Sequence, residues 1–323
     1  MIPKKKIDII DPKDQVNLYG YENYFNSFKK LYENQKLPNT ILISGPKGIG
    51  KSTFAYHFIN FLLSNNEKHS YSCENFKLNK DNSSFKLIQS DTHPNFFLLK
   101  NILLNDEIKI EQTRKLFKYL NKTTYSKDIK IVLLDNAEKL NLSSSNSLLK
   151  ALEEPSSNTL FFIIHDDNFE IVDTIKSRCI EFKIHFSLSD KIDILKKIFV
   201  NINLNLNDID LNKFLYFDTP GNFLRYFLLL KESNLDISED LLSCIFYMID
   251  TYSKKKDSEL LSYITLFIEN YYNQLALNNN LNINDYFNNK NKILYLISNM
   301  KKFHLDKKNL LFTINKILKD EKR

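Results

Sequence analysis

The segment Gly45-Pro46-Lys47-Gly48-Ile49-Gly50-Lys51-Ser52 sets glycines, a lysine and a hydroxyl at spacings that suit phosphate chemistry. Glycines let consecutive backbone N–H groups curve around one anion, and a helix beginning there adds its positive end. In such a loop Lys51 neutralises phosphate oxygens, and Ser52, followed by Thr53, offers a hydroxyl to a magnesium ion. The chain has only five glycines in 323 residues, and three of them fall between positions 45 and 50. An accidental glycine turn is therefore the weaker reading.

A phosphate loop of this kind needs a second element, an acid that holds the magnesium shell. Ile131-Val132-Leu133-Leu134 runs apolar into Asp135, which sets a carboxylate at the C-terminal end of a strand, where parallel sheets carry their ligands. Ser52 and Asp135 are thus the expected magnesium ligands, with ATP or ADP as the nucleotide. The alternative for Asp135 is a turn residue paired with Asn136. An asparagine at 136 can hold a water but cannot take its proton, and the nearest acid is Glu138. These residues predict nucleotide binding with slow turnover.

The positioning elements follow from the hydrophobic pattern. Thr40–Ser44, Asn95–Leu99, Ile129–Leu134, Thr159–Ile164 and Ile180–Ile184 are short apolar, β-branched runs that predict strands. Ser52–Leu63, Ile110–Leu120, Ser143–Glu154 and Phe169–Lys176 predict helices between them. Such alternation implies a three-layer α/β domain around a parallel sheet, over residues 1–186. Pro155 closes the helix whose Leu148, Leu149 and Leu152 share one face. A block at 187–232, broken at Thr219-Pro220-Gly221, predicts a small helical lid. No glycine or proline occurs beyond Gly221. Residues 233–323 therefore read as an all-α domain, with Asn278–Asn280 and Asn288–Asn289 as loops.

Composition excludes several classes. Hydrophobic residues make up 43%, enough for packed cores, and no apolar run reaches the length of a membrane span. Cys73, Cys179 and Cys244 are too scattered for a disulfide framework, which points to a reducing, cytoplasmic setting. Lys4-Lys5-Lys6 has no apolar stretch behind it and does not read as a signal peptide. The net charge of +6 is compatible with an ordinary solvated surface. Lys4–Lys6, Lys254–Lys256 and Lys307-Lys308 are treated as solvated faces.

Further segments resemble the AAA+ clamp-loader family. Asn146–Pro155 is similar to its N-A-L-L-K-x-L-E-E-P helix end, and Thr174-Ile175-Lys176-Ser177-Arg178-Cys179 to its T-I-x-S-R-C motif. Ile110–Leu116 resembles the segment before the acid-bearing strand. His93-Pro94-Asn95 and Gly20-Tyr21-Glu22 stand where the family has H-P-D and G-Q-E. The resemblance spans about residues 18–225. It implies the α/β P-loop (AAA+) fold with lid and helical collar domain, and it makes Arg178 an arginine finger acting on a neighbour's nucleotide. Only four arginines occur among 45 basic residues, so an arginine kept at 178 fits a need for a planar, bidentate fork. Without its motif, Arg178 would read as a helix-terminal arginine in a local salt bridge, and Arg114 reads as structural.

Within that family the departures favour the delta-prime type over the hydrolysing tau/gamma type. Motor subunits carry Asp-Glu where Asp135-Asn136 stands, and a lid arginine where Gly221 stands. Arg225, one helical turn on, is an open substitute for that arginine. The reading also expects one helical C-terminal domain without the long extension of a tau subunit. The resemblance implies partners of delta and tau/gamma type, a sliding clamp and primed DNA. The alternative is a competent tau/gamma-type ATPase in which Glu138 or a displaced acid replaces the missing base. Four-cysteine zinc modules occur in the family, but His69–Gln89 keeps only Cys73 with His69, so no zinc is expected.

Overall fold

The computed structural model describes residues 9–101, 106–122, 129–155, 158–206, 209–238, 240–255, 257–277, 283–303 and 307–320. Lys4–Lys6, Lys256, Asn278–Asn280 and Arg323 lie outside the described residues. The chain divides into two compact units, Asp8–Leu204 with Thr219–Asn222, and Asn205–Asp218 with Phe223–Arg323.

The first unit is built in the order α1 (Glu22–Glu33), β1 (Thr40–Gly45), α2 (Lys51–Leu63), α3 (Ser83–Gln89), β2 (Phe96–Leu99), α4 (Ile110–Leu120), β3 (Lys130–Leu134), α5 (Leu142–Glu153), β4 (Thr159–Asp166), α6 (Asp173–Lys176), β5 (Ile180–Lys183) and α7 (Leu188–Asn201). The strands form one five-stranded parallel sheet in the order β2-β3-β4-β1-β5. Helices cover both faces, so alternate residues of each central strand enter different cores. Ile41, Ile43, Ile131, Leu133 and Phe162 pack with Phe25, Phe28, Phe54 and Phe58. Leu42, Val132, Leu134, Phe161 and Ile163 pack with Leu116, Leu148 and Leu152 on the other side. This is the three-layer α/β architecture with a parallel sheet that the alternating pattern predicts.

Helix α2 is buried almost all round, which is why it shows no narrow apolar stripe. Its His57 is fully buried, with Nε2 2.9 Å from the Gln15 carbonyl and Nδ1 3.1 Å from the Tyr71 hydroxyl. A carbonyl only accepts, so Nε2 carries the proton and Nδ1 accepts from Tyr71. Burial disfavours the imidazolium and pushes the His57 pKa down to about 4. The unfolded chain, with an ordinary histidine near 6.5, then binds the extra proton between pH 6.5 and 4. Stability from this residue is present above pH 6.5 and is lost as pH falls. We expect the His57 contribution to drop by about 2 kcal/mol between pH 7 and pH 5. Urea unfolding of wild type and His57→Gln at both values checks this, the variant losing that part of the slope.

Several expectations change, most of them by a residue or two at an element's end. The reading of Phe169–Lys176 as a helix shortens to α6, because Asp166 Oδ1 accepts from the backbone and side-chain N–H groups of Asn168 and holds a turn. The strand Ile180–Ile184 ends at Lys183. Asn288–Asn289 is not a loop but lies inside α12 (Ile283–Phe303).

The second unit is all helix: α8 (Leu211–Leu215), most of α9 (Pro220–Glu232), α10 (Leu241–Lys255), α11 (Ser258–Leu277), α12 and α13 (Lys307–Asp320). Phe214, Phe223, Tyr226 and Phe267 form its aromatic centre. Among the described residues, no helix is long and apolar enough to cross a membrane.

Candidate functional site

The glycine-rich segment forms the turn between β1 and α2 in the first unit. Gly50 caps α2 with φ +104°, and Gly48 has φ +79°, both in the left-handed region that favours glycine. The side chain of Tyr21 lies over this turn, its hydroxyl 3.2 Å from the Ile49 carbonyl. Pro46 and Lys47 complete the turn, and Thr53 follows in the first turn of α2.

Lys51 and Ser52 open α2 on the side of the strand ends. Lys51 folds back on the loop, its Nζ donating to the Gly45 carbonyl at 2.6 Å and to Pro46 at 2.8 Å. Burial lowers the Lys51 pKa, opposed by the negative charges of Asp166, Glu138, Asp167 and Asp135. Ser52 Oγ donates to Asp135 Oδ1 at 3.0 Å, so the two residues read as magnesium ligands from the sequence do meet. Burial raises the Asp135 pKa, and the Ser52 hydroxyl and nearby Lys100 and Lys51 act against it.

The positions after Asp135 are occupied in an unexpected way. Asn136 has φ +63°, a conformation asparagine tolerates better than most residues. Its side-chain N–H donates to Asn101 Oδ1 at 3.0 Å. Asn101, just past β2 and almost fully buried, was not singled out in the sequence, where no motif marks it. Glu138 Oε2 accepts from the Asp166 backbone N–H at 3.2 Å, at the end of β4.

A third contributor comes from far along the chain. Thr219 Oγ donates to the Lys47 carbonyl at 2.8 Å, and the Gly221 N–H donates to the Gly48 carbonyl at 2.9 Å.

The residue group fits a magnesium nucleotide on its own chemistry. Hydroxyl and carboxylate oxygens suit a hard cation. The positive-φ glycines form a cradle, and the amide donors of Gly48 to Ser52 take no part in the bonds just described.

Arg178 stands apart, between α6 and β5. Its Nε donates to Glu153 Oε1 at 2.7 Å, a terminal nitrogen also reaches that carboxylate, and the other donates to the Thr174 carbonyl at 2.7 Å. The ion pair is partly exposed. Arg178 is thus held in a local salt bridge, with all three guanidinium nitrogens engaged within the chain. The Thr40 hydroxyl fixes its backbone by donating to the Arg178 carbonyl at 2.7 Å. Burial pushes the Cys179 thiol up to about 11, which keeps this neighbour unreactive. Arg225 donates to Glu259 Oε2 at 2.7 Å within the helical unit. Arg114 is exposed on α4.

In the region His69–Gln89, the His69 carbonyl accepts from Asn82, and burial raises the Cys73 thiol above its ordinary value. Among the described residues, no three His, Cys, Asp or Glu side chains group as a metal site.

A sequence model for the family described as DNA polymerase III, delta subunit, matches residues 20–187. The chain is similar to the DNA polymerase III subunit delta' of Pseudomonas aeruginosa, 34% identical over 140 residues, covering 43% of this chain and 41% of that one. It is 28% identical to the subunit delta' of Buchnera aphidicola subsp. Schizaphis graminum, over 64% of this chain and 61% of that one. It is also similar to the DNA polymerase III subunit tau/gamma of Haemophilus influenzae, 27% identical over 57% of this chain and 25% of that one. The matches span roughly half the length of the delta' relatives.

Proposed function

We propose, given that this chain belongs to the DNA polymerase III delta-prime clamp-loader family, that it serves a clamp loader as a nucleotide-binding subunit with little hydrolysis of its own. The observation that carries this reading is Asn136. The position next to the strand-end acid holds an amide tied to Asn101, and an amide cannot take a proton from water. Glu138, the next acid along the chain, has a carboxylate oxygen on the Asp166 N–H.

In this reading Gly45 to Thr53 hold the phosphates of ATP or ADP, and Ser52 and Asp135 hold its magnesium. The magnesium, when bound, neutralises phosphate charge. Lys51 moves its ammonium from the Gly45 and Pro46 carbonyls to phosphate oxygens. Arg178 supplies a bidentate donor to nucleotide on an adjoining subunit of tau/gamma type, in a hetero-oligomer that also includes a delta subunit. The assembly places a sliding clamp on primed DNA in the cytoplasm. Residues 187–232 act as lid and 233–323 as collar.

The tau/gamma-type motor is the second reading, supported by the tau/gamma relative. It requires Glu138 or a displaced acid as general base, and Glu138 is the one tested first. A general base contributes about 10²–10⁴-fold, so the two readings separate cleanly in a turnover assay. We expect the isolated chain to turn over ATP slowly, and Glu138→Gln to leave that rate unchanged. A rate within about tenfold of a motor subunit, falling at least a hundredfold in Glu138→Gln, would favour the motor.

A further inference from the structure

Gly221 reads from the sequence as the place of a lost lid arginine, but its surroundings give it a positive role. Its backbone does not lie in the left-handed region, so conformation alone does not call for glycine. Space does. A Cβ on Gly221 would lie 2.5 Å from the Gly48 carbonyl oxygen and 3.1 Å from Gly48 Cα, contacts with backbone that cannot swing aside. The approach is reciprocal. A Cβ on Gly48 would lie 2.4 Å from Thr219 Oγ and 2.6 Å from Asn222 Oδ1. Two hydrogen bonds close the contact, Gly221 N–H to the Gly48 carbonyl and the Thr219 hydroxyl to the Lys47 carbonyl, and Thr219 is itself buried.

We propose that Thr219–Asn222 is a latch that positions the phosphate loop through its carbonyls, and that Gly221 is required by this contact. The proposal rests on the nucleotide-binding reading of the loop. Both latch bonds take carbonyl oxygens, on the opposite side of the peptide units from the N–H groups that face an anion. The latch thereby restricts the loop's apex without itself using the loop's N–H donors, which raises affinity by pre-organisation. An arginine at 221 and this latch exclude each other. A sensor arginine reads a terminal phosphate; the latch reads the loop itself. It therefore serves a diphosphate and a triphosphate alike, and Thr219 and Gly221 are positioning residues for both.

The test uses the full chain with Mg-ADP and Mg-ATP, titrated separately by calorimetry, together with amide exchange in the nucleotide-free protein. Gly221→Ala is expected to weaken both nucleotides by more than about tenfold, and by the same factor. Thr219→Val should weaken both about fivefold, the loss of one hydrogen bond, while Thr219→Ser keeps the hydroxyl and restores wild-type affinity. Wild-type affinity in Gly221→Ala, a loss confined to ATP, or equal behaviour of the Val and Ser variants would overturn the latch. If the wild type binds neither nucleotide, the nucleotide reading fails by itself. Exchange then decides the latch, which predicts a protected Gly221 amide and is refuted by an unprotected one.

Discussion

Arg178→Ala is expected to slow hydrolysis at the adjoining nucleotide site of a reconstituted clamp loader by about a thousandfold, the low end of what an arginine finger contributes. Nucleotide binding by this chain should be unchanged, because Arg178 lies between α6 and β5 and makes no contact with the phosphate loop residues described. The variant should also fold normally. The Arg178–Glu153 pair is partly exposed, and such pairs contribute less than about 1 kcal/mol. That modest value also lets the guanidinium leave Glu153 for a phosphate at small cost. Arg178→Lys should recover little, since an ammonium lacks the planar fork that engages two oxygens at once. If Arg178 only braces α6 against α5, Arg178→Ala and Glu153→Ala will behave alike, and the turnover of the assembly will be that of the wild type. Single-turnover hydrolysis by the assembled complex distinguishes the two.

The sheet was legible because it is buried on both faces. Strands such as Ile131–Leu134 and Leu160–Ile164 then read as continuous apolar runs rather than as alternations. Exposed edges were harder. Strand β5 lies at the sheet's edge with Ile180 exposed, and one more backbone bond, from the Ile184 N–H to the Ser44 carbonyl, follows its last paired residue. The asparagine pair at 288–289 suggested a loop, yet the helix runs through it, with Ile293 and Ile297 buried beyond it, a case of packing overriding a weak local preference. Helix α3 was missed because it is short and depends on capping by Asn82, whose side chain accepts from the Phe85 N–H.

The candidate site divides in the same way. Lys51, Ser52 and Asp135 were legible because each stands at a fixed offset from a glycine turn or a strand end. Asn101 and Thr219 were not. Their contacts join residues 35 and 172 positions apart, and no local pattern encodes such a meeting. Gly221 shows the limit most sharply. The sequence registers what is missing there, while the structure shows what occupies the space.

Lys51→Ala is expected to weaken Mg-ADP and Mg-ATP binding by about a hundredfold, with the chain still folded. The lysine now donates to the Gly45 and Pro46 carbonyls, surrounded by the acids Asp135, Glu138, Asp166 and Asp167. Exchanging neutral carbonyls for anionic oxygens converts ordinary hydrogen bonds into charge-assisted ones, each about twice as strong. Two such bonds at roughly 1.5 kcal/mol or more give about 3 kcal/mol, which is about two decades in the dissociation constant. A further effect has the same sign. Without Lys51 the carboxylates of Glu138, Asp166 and Asp167 lose a neighbouring cation, so their repulsion of the phosphates adds to the loss. On folding, two terms oppose each other. The variant forfeits two hydrogen bonds, but it also removes the cost of holding an ammonium away from water, the same burial that lowers the Lys51 pKa. The net change in unfolding free energy should stay within about 1 kcal/mol. Titration of ADP beside a urea melt reads both quantities on one preparation. Binding within threefold of the wild type, in a variant that melts normally, would remove Lys51 from the phosphate site, and with it the argument that this loop holds nucleotide at all.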